Sequence, residues 1–221
     1  MSNPLNLING LLITFVGIMM VACQNKQPLY PQQEILLSDS VSAKTAQLIE
    51  EETAAEVADG LKLSLWASDT LVKDPIAIDV DENGRVYYTR AIRPRHSEFD
   101  IRGHRNWMTA SISFETVEDR RKFLRETFTA DSEESEKHLR DLNNDGVRDW
   151  RDLTVEKEQV WFVEDANNRG IANRSQLYIE DFHEEITDVA NGIKVHNGEV
   201  FISVAPDLWR TKDTDGDGIA D

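Results

Sequence analysis

Apolar and polar residues alternate with a period of two at several points along the chain, which is the pattern of half-buried β-strands. Leu61, Leu63 and Leu65 alternate with Lys62 and Ser64. Ile76, Ile78 and Val80 alternate again, Asp81-Glu82-Asn83-Gly84 follows, and residues 85–89 (RVYYT) resume the pattern. An Asn-Gly step between two such runs is a strong hairpin signal. Residues 159–163 (QVWFV) and 176–179 (QLYI) also read as strands. A second hairpin is predicted for 193–195 and 199–204 around His196-Asn197-Gly198, and 208–211 leads from it into the last Asp-rich segment.

Helical signals are fewer. Residues 42–58 are rich in Ala and Glu and predict a surface helix that Gly60 stops. Residues 114–127 predict a helix with Val117, Leu124 and Phe128 toward one face, and 132–140 a second short one. Short strands joined by turns favour an all-β sandwich or a propeller over a helical bundle. The helices of residues 114–140 read as an insertion on that frame.

The N-terminus reads as an address. Residues 11–22 (LLITFVGIMMVA) are apolar, but as a helix they rise only about 18 Å, short of a ~30 Å hydrocarbon core. They fit the h-region of a signal peptide. Met20-Val21-Ala22-Cys23 resembles the lipobox of bacterial lipoproteins, in which the cysteine carries the lipid. Cys23 is therefore the expected lipidation site, and Gln24 to Gln33, polar with two prolines, the tether behind it. The Met at 20 and an n-region without Lys or Arg depart from the usual pattern. The expected location is the cell envelope, with the membrane as a partner through the lipid. Expected organisation is a signal at 1–22, a tether at 23–41, a helix at 42–60 and a mainly β domain at 61–221.

Charge narrows the partners. The 221 residues hold 41 Asp and Glu against 24 Lys and Arg, a net charge of −17. Phosphate binding needs clustered cations, so nucleic acid is not an expected partner. Cys23 is the single cysteine, which excludes an internal disulfide and a Cys-based zinc site.

Much of the acidity is clustered in loops. Residues 141–152 (DLNNDGVRDWRD) can be set against a twelve-residue EF-hand loop. Asp141, Asn143, Asp145, Asp149 and Asp152 then take positions 1, 3, 5, 9 and 12, Gly146 position 6, and the Val147 carbonyl position 7. Calcium, a hard cation, takes six to eight oxygens, and alternating Asx residues turn theirs inward. Residues 213–221 (DTDGDGIAD) repeat the register, with Asp213, Asp215, Asp217 and Asp221 at positions 1, 3, 5 and 9. Gly218 and Ile219 follow at 6 and 7. Asp165, Asn167, Gly170 and Asn173 keep the same spacing in a decayed copy, where Arg169 at position 5 opposes a cation. That copy is expected to bind no ion, its guanidinium standing in for one.

Two further clusters could carry chemistry. Arg90, Arg93, Arg95, His96, Arg102 and His104 follow a strand end, where a histidine could act as a general base or the cations could bind an anion. Surface ion pairs in an acidic protein are the plainer reading. His183 with Glu184 and Glu185 could bind a metal, against a solvated polar edge. Trp107, Trp161 and Trp209 are expected in the core.

The pieces LWASDTLVKDPIAIDVDENGRVYYTR, SEFDIRGHRNW and residues 145–221, above all VFISVAPDLWRTKDTDGDGIAD, resemble large secreted bacterial proteins described as membrane-bound dehydrogenase-like or haem-binding-domain proteins. The likeness covers residues 60–221 in patches. It implies a β-propeller similar to that of soluble quinoprotein sugar dehydrogenases, of which this chain would be the opening part. It also implies an oxidoreductase acting on a small sugar, with pyrroloquinoline quinone and haem c as cofactors of the full-length protein. No C-x-x-C-H motif stands here, and no catalytic or cofactor-binding residue can be carried over. The expected fold is thus a partial propeller with a helical insertion and EF-hand-like calcium loops. The alternative is a non-enzymatic, calcium-dependent module that binds glycans or a protein.

Overall fold

The computed structural model describes residues 33–93, 103–130 and 132–221. Cys23 with its signal sequence, and Arg95, His96 and Arg102 of the basic cluster, lie outside the described residues. Among those described, no helix is long and apolar enough to cross a membrane.

The Asn-Gly turn forms as expected, between β2 (Pro75–Val80) and β3 (Val86–Arg90). Asp81 builds it: its Oδ1 accepts the Asn83 and Arg85 N–H groups at 2.9 and 2.8 Å, and its Oδ2 accepts Arg85 Nε at 2.9 Å. Next come β4 (Glu158–Glu164) and β5 (Arg174–Asp181). Residues 34–36, within the stretch read as tether, add a short strand β1 (Glu34–Leu36) to the outer edge of β5. The result is a five-stranded antiparallel sheet in the order β1-β5-β4-β3-β2. The second hairpin also forms, as β6 (Ala190–His196) and β7 (Glu199–Val204), and β8 (Asp207–Lys212) completes a three-stranded antiparallel sheet. The fold is mainly β, with no closed barrel among the described residues.

Strand β4 explains why QVWFV is apolar throughout. It is central, and its two faces enter different cores. Val160 and Phe162 join Tyr87, Tyr178, Val195, Val200, Ile202 and Val204 between the sheets. Trp161 and Val163 face the other way, onto Leu71, Tyr88, Ala172 and Leu177.

Alternation misleads at two places. Residues 61–65 form no strand, and Leu61 and Leu63 are 69% and 62% exposed. The edge of the sheet nearest in sequence to α1 is already occupied, because β1 pairs with β5, and the Leu65 N–H goes to Glu50 Oε1 at 2.6 Å. In β2 the apolar residues face outward, Ile78 being 64% exposed. The inward positions include Asp79, whose Oδ2 accepts the Val195 N–H at 2.6 Å and Lys194 Nζ at 2.9 Å. This contact laces β2 to β6. The backbone and side-chain donors hold the Asp79 carboxyl below its ordinary range.

Helix α1 runs Asp39–Thr53, earlier than expected, because Ser38 Oγ caps it and Ala54 closes it with φ 44°. The segment between β3 and β4 is helical: α3 (Val117–Thr127) and α4 (Glu133–His138) fall where helices were expected, and α2 (Met108–Ser113), which was not expected, precedes them. A capping box of Thr116 and Asp119 starts α3 at Val117. Leu124 and Phe128 are buried with Trp107, Leu139, Leu153 and Ile186, whereas Val117 is exposed. Trp107 and Trp161 are core residues, but Trp209 is 41% exposed on β8, the outermost strand of its sheet.

The helical segment and both sheets meet at one buried ion pair. Arg93, 2% exposed, places Nε 3.6 Å from Glu158 Oε1, a carboxylate with no solvent exposure. Glu158 Oε1 accepts the Ile92 and Arg93 N–H groups at 3.2 and 2.9 Å, and Oε2 accepts the Ala190 N–H at 3.0 Å. The guanidinium donates to the carbonyls of Phe182 and Asp188 at 3.0 and 3.1 Å, and of Glu184 and Leu153 at 3.4 and 3.5 Å. Removing one member leaves the other charge buried alone. We expect Arg93→Met to lower the unfolding free energy by about 3–5 kcal/mol in urea titrations. Arg93→Met with Glu158→Gln is expected to cost less than the sum of the two single substitutions. Additive losses would show that the pair is not coupled.

Candidate functional site

The three Asx-rich loops share one backbone conformation. At position 4, Asn144, Asn168 and Gly216 have φ of 58°, 53° and 85°; at position 6, Gly146, Gly170 and Gly218 have 86°, 84° and 86°. Left-handed backbone at the sixth position explains the glycines. In each loop the first Asp folds back onto that glycine. Gly146 N–H donates to Asp141 Oδ2 at 3.0 Å, Gly170 N–H to Asp165 Oδ2 at 2.6 Å, and Gly218 N–H to Asp213 Oδ2 at 2.9 Å. The position-7 N–H also repeats its bond: Val147 to Asp145 Oδ1 at 2.9 Å and Ile219 to Asp217 Oδ1 at 2.8 Å.

The loops differ in where their other oxygens point. In the last, one oxygen each of Asp213, Asp215 and Asp221 lies within 4.8 Å of the others. Asp221 turns back over the loop, its Oδ2 accepting Thr214 Oγ1 and, at 2.6 Å, the Thr214 N–H. Those two bonds hold its carboxyl below the ordinary range. The loop is seated on β5: Gln176 Nε2 donates to the Asp217 carbonyl at 3.0 Å, and a Cβ at Gly218 would come within 2.6 Å of that amide. Asp217 is not part of the converging group.

The first loop is tied differently. Asp152, 1% exposed, accepts the Leu142, Asn143 and Asp149 N–H groups at 2.9, 3.2 and 3.0 Å. Asp149 is held by Arg151, whose Nε and Nη2 donate to it at 3.0 and 2.6 Å, and that guanidinium keeps its carboxyl low. Arg151 Nη2 also stands 3.7 Å from Asp145 Oδ2. Asn143 Oδ1 accepts the Asp145 N–H at 2.8 Å. Here the expected ligands are spread among local partners, and among the described residues no three acidic groups of this loop converge.

The middle loop corrects an expectation. The Arg169 side chain does not occupy the loop centre; it is 71% exposed and pairs with Asp39 Oδ2 at 3.7 Å. Asp39, in the first turn of α1, also accepts Asn167 Nδ2 at 2.8 Å and Asn173 Nδ2 at 3.1 Å. A carboxylate from another element therefore orders this loop from outside.

The basic cluster divides. Arg93 is structural, as described above, Arg90 Nη1 donates to Gln159 Oε1 at 3.3 Å, and His104 is buried. His183 Nδ1 lies 2.9 Å from Asp181 Oδ1. Glu184 and Glu185 turn instead to α3, where Arg121 Nη2 and Nη1 reach them at 2.6 and 3.0 Å and Arg125 Nε reaches Glu185 at 2.5 Å. Glu184 and Glu185 thus dock a helix, and among the described residues the three do not form a converging metal-ligand group.

A cavity of about 170 Å³ opens between the sheets, lined by Asp81, Glu82, Arg85, Tyr87, Tyr178 and Asp213. Burial pushes the Tyr87 hydroxyl up to about 12. The cavity is smaller than ordinary ligand pockets of about 300–1,000 Å³. Three carboxylates line it, and its guanidinium is paired with Asp81. It does not fit pyrroloquinoline quinone, a tricarboxylate. Haem c has no attachment cysteines in this chain, since Cys23 stands alone. Sequence reading missed this cavity, because its residues come from β3, β5, β6, β7 and three loops, with no shared spacing.

No curated protein and no solved structure matches the chain significantly. The family comparison gives one match, over residues 49–221, to a domain of unknown function, DUF7133. With most of its length covered, the chain belongs to the DUF7133 family.

Proposed function

We propose that this chain is the calcium-stabilised part of a lipid-anchored envelope protein, with its two sheets as neighbouring propeller blades. The full-length molecule would be an oxidoreductase resembling the quinoprotein sugar dehydrogenases. The observation that carries the calcium reading is the last loop: oxygens of three aspartates converge within 4.8 Å, on a loop whose backbone recurs at residues 141 and 165. Calcium suits such an oxygen-only set, and ions between strands stiffen long connections. Loop 213–221 is the stronger site. Loop 141–152 needs Arg151 to release Asp149 before that oxygen can face an ion, which weakens its affinity.

The blade reading is supported by the two antiparallel sheets: β2 to β5 and β6 to β8 are meanders of consecutive strands, with β1 added beside β5. Their first full strands, β2 and β6, are laced side by side through Asp79. The outward stripe of Ile76, Ile78 and Val80 is apolar surface that a neighbouring blade would cover. The oxidoreductase part rests on sequence likeness, and no redox step is assigned to residues of this chain. The lipid anchor rests on Cys23 and the apolar run before it.

Isothermal titration of the chelator-stripped chain with calcium tests the ion sites. We expect two sites, the tighter one lost in Asp215→Asn. Asp165→Asn is expected to leave the stoichiometry unchanged, because Asp39 already serves that loop. Saturation at a hundredfold excess over Kd adds about 2.7 kcal/mol, a rise in melting temperature of roughly 5–10 °C for a domain of this size. Equal melting with chelator and with calcium, and no heat on titration, would overturn the reading.

A further inference from the structure

Two imidazoles and a carboxylate meet away from the aspartate loops. His104 precedes the short 3-10 turn Arg105–Trp107, and Glu134 and His138 lie one turn apart on α4. One ligand atom from each of the three lies within 4.8 Å of the others. Residues four apart on a helix share a face, so α4 offers two ligands in one direction. His138 Nε2 stands 3.4 Å from Glu134 Oε2. That oxygen is shielded from solvent and accepts no hydrogen bond among the described residues. A shielded carboxylate oxygen without a donor is costly and calls for an explanation.

The spacing supplies one. Two ligands bound at about 2.0–2.1 Å around a tetrahedral ion stand about 3.3–3.4 Å apart. The observed separation matches that edge and is long for a charge-assisted hydrogen bond, typically about 2.7–2.9 Å. The rings are also held in place by packing. His104 is 6% exposed and stacks on Trp107 with centroids 3.7 Å apart and planes 8° from parallel. The His138 ring lies 4.4 Å from that of His104, while Phe123 and Phe128 hold Trp107 edge-on at 5.3 and 5.5 Å. An apolar wall behind imidazole ligands limits their motion and the access of water.

We propose that His104, Glu134 and His138 form a site for a divalent transition metal of the zinc class, with its fourth position left to water. Two imidazole nitrogens and one carboxylate are the donors such an ion selects, whereas calcium takes oxygens alone. The ion ties the entry of the helical segment to α4 and closes the loop that carries α2 and α3. This site is separate from the calcium loops in residues and in ligand chemistry.

Cobalt(II) distinguishes the two kinds of site. The full chain is first saturated with calcium, then titrated with cobalt(II) and followed by visible absorption. Four-coordinate cobalt with nitrogen ligands gives an intense ligand-field band, and six-oxygen cobalt only a weak one. We expect one equivalent of intense band that zinc displaces. Glu134→Gln and His138→Asn, both at partly exposed positions on α4, should each weaken cobalt binding at least tenfold while leaving the circular dichroism unchanged. His104→Gln provides a third variant, and Asp215→Asn should leave the band intact. Lack of an intense band at stoichiometric cobalt, its survival in Glu134→Gln and His138→Asn, or its loss in Asp215→Asn would overturn the proposal.

Discussion

Glu158 puts a carboxylate at a position with no solvent exposure, and the molecule is arranged around satisfying it. The residue opens β4, the strand central to the larger sheet, yet its partners come from elsewhere. Residues 92 and 93, just past β3, give it two N–H groups, and Ala190, the first residue of β6, gives a third. Arg93 spreads its guanidinium over carbonyls of the connection between β5 and β6 and over Leu153 beneath the helices. A buried ion pair adds little stability over an apolar replacement, but its hydrogen bonds fix geometry. Here they specify how two sheets and a helical layer meet.

The ion loops follow a related logic. Each first aspartate is already engaged by the N–H of its own glycine, so the turn forms from local bonds. What varies between the copies is the source of the remaining charge balance. Arg151 supplies it in the first loop, and in the second Arg169 turns outward to pair with Asp39. In the third, oxygens of three aspartates lie within 4.8 Å of one another. Like charges that close repel unless a cation sits between them. This difference ranks the loops as proposed ion sites more sharply than their sequences do.

Local signals were legible in the sequence. Asn83-Gly84 and Asn197-Gly198 mark real hairpins, QVWFV a central strand, and the Asx spacing a conformation repeated to within a few degrees at its glycines. The losses came where a long-range partner decides. Leu61 to Leu65 alternate like a strand, but alternation cannot provide a free sheet edge, and β1 had taken the edge of β5. The apolar side of β2 faces out because Asp79 is needed on the inner side by β6. Arg93 looked like one cation among several near a strand end, and only the fold shows that Glu158, sixty-five residues on, is its counterion. His104 and His138 belong together for the same reason, since nothing in their spacing signals proximity.

These contacts form a continuous mechanical path. Helix α4 runs into the first aspartate loop, whose last ligand candidate, Asp152, sits in the 3-10 turn Trp150–Thr154. The next residue, Leu153, packs its side chain against Leu124 and Phe128 and gives its carbonyl to Arg93. From Arg93 the path passes to Glu158 and so to β4 and β6. An ion that tightens Asp141 to Asp152 therefore pulls on the residue that reports to the buried pair. A metal at His104 and α4, as proposed, would fix the other end of the same helical layer. Cations bound on this layer, as proposed, would act on the joint between the sheets through packed atoms and named hydrogen bonds, a physical route by which ion binding would set the geometry of the β unit.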